Sequence, residues 1–424
     1  MGETSAPKLS PRSATALVIA NMIGVGVFTT SGYALADLGS ASWVVAAWAV
    51  GGLIALAGAF CYGALIREIC GSGGEYLFLS RGLHPLAGFL SGWTSLLAGF
   101  TGPVAAAALA APLYLRGAFG LDLEPRWTAS GLVLLAWGLH GRGARWGVAA
   151  QDLAVGLKLL AILCLCVGGL VAVAGSDASS NVPERGFDLG AFASTLVWIS
   201  FAYSGWNAAV YVAGEVEDAK RTVGRAMITG TAIVIVAYVA LNALILAAAP
   251  ASELTGRGDV AVVAAHALGG DSLARVVGGL VGLALFTSVS AMTMAGPRVY
   301  AQMSEDGLFP RMFRSGDGPP TMALHLQCVL ALAAVWATGL RELLGWIGFT
   351  LGLFTATSVF VLLRLKWKAG AALAVPGFPG LPIFFLACTL GATGFMAHRE
   401  PVIAFYGVLG VAAGIPFYIL FRRT

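Results

Sequence analysis

The chain has 424 residues, of which 58% are hydrophobic and 11% charged. A soluble domain carries about 25% charged residues, so this composition excludes one and fits a multi-span helical membrane protein. The net charge of +4 is small and its basic residues are scattered, which excludes a massed nucleic-acid-binding surface.

A short polar tail, residues 1–12, precedes the first apolar stretch. That stretch is too long for a signal-peptide core and lacks a small-residue cleavage site at the usual distance, so it reads as a retained span. Charge-poor segments then follow at 13–36, 40–66, 86–115, 127–139, 146–174, 187–213, 226–249, 273–303, 322–339, 343–363, 373–396 and 402–421, twelve candidate spans with a short fourth. With both termini inside, 17 of the 25 Lys and Arg residues fall in cytoplasmic segments and seven in outer ones, with Lys158 inside the fifth span. The positive-inside rule selects this orientation. The cysteines, Cys61, Cys70, Cys164, Cys166, Cys328 and Cys388, lie in apolar segments or near cytoplasmic ends. No disulfide-linked partner chain is expected, and neither the cysteines nor the five histidines have metal-ligand spacing, so no metal or cofactor is expected.

Within the first span, Ile23-Gly24-Val25-Gly26-Val27-Phe28 follows Asn21. Each glycine costs about 1 kcal/mol in a helix relative to alanine. Backbone freed from a helix at membrane depth needs partners in protein or in a cavity. The sixth span carries a second interruption, Phe201-Ala202-Tyr203-Ser204-Gly205-Trp206-Asn207. Five spans separate the two, so the helices run in opposite directions. Interrupted helices at matching places in inverted halves point to a transporter site, whereas small-residue helix contacts would explain either one alone.

Lys158 lies roughly 18 Å into the fifth span. A lysine at that depth costs about 2.5–3.5 kcal/mol on insertion scales and marks a functional site by default. Asp152, six residues earlier, is off its face by helical geometry, so its partner must sit on another helix. The eighth span ends in Gly296-Pro297-Arg298-Val299-Tyr300, where proline kinks a helix, and a loop with Asp306-Gly307 and Phe309-Pro310 follows.

Together, IGVGVF, GSGGEYLFL after the second span, FAYSGWNAAVYVAGEV and AGPRVYAQMSEDGLFP resemble the amino acid–polyamine–organocation (APC) superfamily, and within it bacterial relatives of the L-type amino-acid transporters. The resemblance runs from about Leu9 to Arg364. It implies an all-α LeuT-like fold in which residues 13–175 and 187–364 are inverted five-span repeats with broken first and sixth helices, and residues 373–424 add two spans and a short tail. It further implies sodium-independent transport of amino acids across the cell membrane, as exchange or proton-linked symport.

Carried over residue by residue, the substrate carboxylate would sit against the backbone of Gly24, Val25 and Gly26, where glycine permits close approach. The start of a half-helix favours an anion. The ammonium would meet carbonyls at Met22 or Ile23 and at Phe201, Ala202 and Ser204. Phe201 matches the aromatic gate, and Asn207 either bonds to the substrate or pins the unwound helix. Lys158 matches a lysine standing in for sodium, with Ser288 and Ser290 near its ammonium. Two departures are Val25, where many relatives have a serine or another small residue, and Ala219, where the family usually has a proline after the sixth span.

Gly71-Ser72-Gly73-Gly74 lacks the lysine and strand of a phosphate loop. His84 and His140 read as solvated loop residues, and the cluster Glu215, Glu217, Asp218, Lys220 and Arg221 as a solvated loop. The sequence shows no acidic side chain placed to pair a cationic substrate and no spare arginine for an anionic one, which favours neutral amino acids over cationic ones or polyamines. An intramembrane enzyme needs a nucleophile–base pair or a metal set at depth, and a channel needs repeated polar rings.

Overall fold

The computed structural model describes residues 9–121, 124–141, 186–314, 320–369 and 373–421, together with Leu160, Ile162, Leu163 and Cys166. These residues are helical, apart from loops and one parallel bridge that ties Leu9 to Val216. Most of the predicted fifth span, Lys158 included, lies outside the described residues.

The first span is two helices. α1 (Pro11–Met22) begins at Ser10, whose Oγ accepts the amide of Ser13 at 3.2 Å, with Pro11 in the first turn where its missing N–H is harmless. Ile23 and Gly24 leave helical geometry, and α2 (Val25–Leu38) resumes after a bend of 40°. Gly39, at φ 62°, closes α2 in the left-handed region. α3 (Ala41–Glu68) then leads through the glycine turn into the short α4 (Glu75–Gly82). α5 (Pro85–Phe119) is one long helix that widens to π geometry over Ser95–Thr101, and α6 (Pro125–Gly141) follows.

The second break separates α7 (Leu189–Ala202) from the single turn α8 (Ala208–Tyr211). α9 (Ala219–Ala248) comes next. α10 (Val260–Glu305) is two helices joined at Gly269 and Gly270, the latter at φ 63°. α11 (Thr321–Ala337), α12 (Leu340–Ala369), α13 (Gly380–Arg399) and α14 (Pro401–Phe421) complete the described chain.

Seven of these helices, α3, α5, α9, α10, α12, α13 and α14, are long and apolar enough to cross a membrane, and α1 with α2 makes an eighth as a bent pair. α7 and α11 are apolar but shorter, at 14 and 17 residues. The outer faces are apolar: Val236 is 71% exposed and Phe405 63%. Water would penalise such surfaces, whereas lipid does not.

Inside, helices approach through small residues, as expected where hydrophobicity alone cannot drive association. Gly63 of α3 faces Gly224 of α9 so closely that a β-carbon would stand 3.2 Å from its Cα. A run of fully buried alanines, Ala105 to Ala108, fills the centre of α5. Some buried polar groups pair across helices: Trp48 Nε1 donates to Ser31 Oγ at 2.8 Å, and Ser31 Oγ donates to Asn242 Oδ1 at 2.5 Å. At one rim Arg341 of α12 meets Asp37 of α2 at 2.9 Å and lies 4.8 Å from the Trp198 ring centre of α7.

Candidate functional site

The two breaks meet. Gly205, at φ 95°, lies against α1, and a β-carbon there would stand 2.7 Å from the carbonyl oxygen of Asn21. Only glycine satisfies both the left-handed backbone and this approach. Where the breaks meet, the chain surrounds a cavity of about 210 Å³. Met22, Ile23, Gly24, Val25 and Gly26 line it from the first break. Phe201, Ala202, Ser204 and Asn207 line it from the second, and Ser288 lines it from α10. Ser290 does not; its Oγ sits 2.8 Å from His140 Nε2 on α6. His140 itself is in the last turn of α6 and half-buried, not in a solvated loop.

The breaks leave main-chain groups at the cavity. Gly24 precedes α2 with no side chain to cap its first turn, so the leading N–H groups of α2 have no side-chain acceptor. On the carbonyl side, part of the predicted set is already engaged. Tyr238 donates its hydroxyl to Met22 O at 2.5 Å, and Ser204 N donates to Phe201 O at 2.9 Å. Among the described residues, no hydrogen bond reaches the carbonyls of Ile23, Ala202 or Ser204.

Gly26 has a packing reason for being glycine, beside any close ligand approach. A β-carbon on it would stand 2.5 Å from the Cα of Ala202, so it is the contact point between α2 and α7. Gly24 is the open one: the nearest atom to its β position is Met22 O at 4.0 Å.

Sequence reasoning missed an acid. Glu75, 4% exposed at the start of α4, lines the cavity. Tyr62 donates to its Oε1 at 3.0 Å, Asn207 Nδ2 donates to the same oxygen, and the Tyr211 hydroxyl donates to Oε2. Asn207 therefore pins the segment after the second break to α4. Trp206, inside that break, packs edge-on against Tyr62 with ring centres 4.7 Å apart. Glu75 is the sole charged side chain among the described lining residues.

The polar wall contributed by α5 was also missed. Ser91, Thr94, Ser95 and Gly99 line the cavity where the helix widens, and Thr94 Oγ1 is buried with no partner among the described residues. Widened turns of this kind recur at functional sites. Lys158 lies outside the described residues.

The sequence profile described as amino acid permease matches residues 9–415. The human large neutral amino acids transporter small subunit 2 is 28% identical, over 96% of this chain and 79% of its own. The human Asc-type amino acid transporter 1 is 28% identical, over 96% and 81%, and the human cystine/glutamate transporter 27%, over 96% and 83%.

Proposed function

The chain belongs to the amino acid permease family, within the APC superfamily, and on that premise we propose a sodium-independent secondary transporter that moves neutral amino acids by alternating access. It is a multi-pass membrane protein that transports amino acids. The observation that carries the finer reading is the cavity at the junction of the two broken helices, with N–H groups on one side and, on the other, carbonyls that have no partner among the described residues. A zwitterion with no further charge fits such a pair of half-helix ends.

In this reading the substrate carboxylate takes the N–H groups at Gly24, Val25 and Gly26. Its ammonium takes carbonyls of Ile23, Ala202 and Ser204, and Phe201 closes over it. Residues 13–175 and 187–364 form the two inverted repeats of a twelve-span LeuT-like fold. The termini face the cytoplasm in a cell membrane. Lys158 substitutes for a sodium ion, with Ser288 as a hydroxyl partner. Glu75 does not change the substrate class, because its carboxylate is already engaged by three protein donors.

Uptake of labelled amino acids into proteoliposomes, with and without unlabelled substrate inside, tests the proposal. Stimulation by internal substrate, without sodium, assigns exchange. Uptake driven by a pH gradient and abolished by a protonophore assigns proton symport. Accumulation that requires a sodium gradient would overturn it.

A further inference from the structure

A second cavity, of about 220 Å³, lies away from the central one, between the end of α3 and the start of α9. Arg67, Lys220, Arg221 and Arg225 line it, and no acid does among the described residues. Its layout follows from the contact between Gly63 and Gly224. Arg67 lies one turn beyond Gly63, and Lys220 one turn before Gly224, so both continue the contacting faces toward the helix ends. Phe60 and Ile228, one turn to the other side of those glycines, also line the cavity. The basic groups are thus at the helix ends, and the apolar ones lie further along the spans.

Four basic side chains converge on this corner, and among the described residues no acid lines it with them. Lys220 and Arg221 fall in the first turn of α9 and Arg225 in the second, against the positive end of the helix dipole. No acidic residue occupies that first turn, and Asp218, at the cap position, makes no side-chain capping bond. Asp218 approaches Arg221 at 3.9 Å, with both side chains well exposed. Arg67 donates Nη2 to Ala374 O at 2.7 Å, which turns its guanidinium toward a carbonyl and leaves its charge unneutralised. Among the described residues no hydrogen bond or ion pair holds Lys220 or Arg225.

We propose that this cavity binds a phosphate group, presented by an anionic phospholipid headgroup or as free phosphate. Guanidinium groups match phosphate oxygens in pairs. Basic pockets between spans are sites for anionic headgroups, and the apolar depth at Phe60 and Ile228 gives an acyl chain a place to lie.

The full-length protein, purified in mild detergent, is titrated with phosphatidylglycerol or phosphatidylcholine and retained lipid is counted by native mass spectrometry. Inorganic phosphate alone is tested on delipidated protein by its shift of the melting temperature. The protein retains phosphatidylglycerol over phosphatidylcholine, and Lys220→Gln with Arg225→Gln lowers that retention about fivefold per charge removed. Arg67→Gln lowers it as well. An equal loss of charge elsewhere, in Arg298→Gln with Arg311→Gln, leaves it unchanged. Lipid retention without a phosphate-induced shift assigns the headgroup as the source. A shift with phosphate alone that Lys220→Gln with Arg225→Gln removes assigns free phosphate. Equal retention of both lipids with no phosphate response, or equal losses in the two double variants, would overturn the proposal.

Discussion

Gly26 of α2 and Ala202 of α7 meet with no room for a side chain between them: a β-carbon on Gly26 would stand 2.5 Å from the Ala202 Cα. The two broken helices therefore touch beside the cavity, and the two glycines of the first break have separable jobs.

Gly26→Ala overpacks this contact and lowers stability by about 1–3 kcal/mol, read as a drop in melting temperature together with lost transport. Gly24→Ala meets only Met22 O at 4.0 Å, so it leaves the melting temperature near that of the unmodified protein and weakens substrate binding. Equal melting temperatures for the two variants would refute this division.

Phe201 is 5% exposed and lines the cavity from the second break. Removing its ring leaves the main-chain carbonyls in place. Phe201→Ala slows transport by about tenfold, the rate equivalent of roughly 1.4 kcal/mol, and changes the dissociation constant less. A large loss of affinity with unchanged turnover would make Phe201 a plain pocket wall.

Glu75 holds Asn207 and Tyr211 by charge-assisted bonds, which contribute about 1.5–3 kcal/mol each. Glu75→Gln removes the charge and turns one of the two acceptor oxygens into a donor, which loosens the hold of α4 on the segment after the second break. Uptake of neutral and cationic amino acids should then fall together, by roughly tenfold or more. A selective loss of cationic substrates would instead make Glu75 a substrate contact.

Lys158→Ala and Lys158→Met cripple transport if the ammonium replaces sodium between helices. Neither variant acquires sodium-driven uptake, because loss of a cation does not by itself build an oxygen-lined ion site. The pH-gradient experiment on the unmodified protein then separates a lysine that stays charged from one that releases its proton. Sodium-driven accumulation by the unmodified protein would remove the basis for both.

The breaks were legible because glycine, serine and asparagine interrupt otherwise apolar runs at Gly24 and Gly26 and again from Ser204 to Asn207. Glu75 was not. It follows Gly71-Ser72-Gly73-Gly74, a run weighed only against a phosphate loop, and its donors Tyr62 and Tyr211 come from α3 and α8. Burial of a carboxylate depends on such distant partners, and local pattern does not encode them. Residues two apart on a helix point about 200° apart: Ser288 lines the cavity and Ser290 turns to His140, while their expected neighbour, Lys158, lies outside the described residues. The close approach of Gly26 to the backbone of Ala202 is a tertiary contact, which the run of glycines in the sequence does not reveal.

The widened turn of α5 fixes how that span must be counted. Ser95, Gly99, Pro103 and Ala107 line the cavity in steps of four residues. In a regular helix the twelve residues from first to last would leave Ala107 about 120° away from Ser95. The π segment at Ser95–Thr101 absorbs one residue, about 100° of that drift, and keeps the row nearly straight. Deleting a single residue there would restore a regular helix with its hydrogen bonds intact, yet rotate the half from Gly102 onward out of register with α10. The number of residues in this span is set by rotational phase, so a change that is neutral for hydrophobic length is not neutral for the row of side chains facing the cavity.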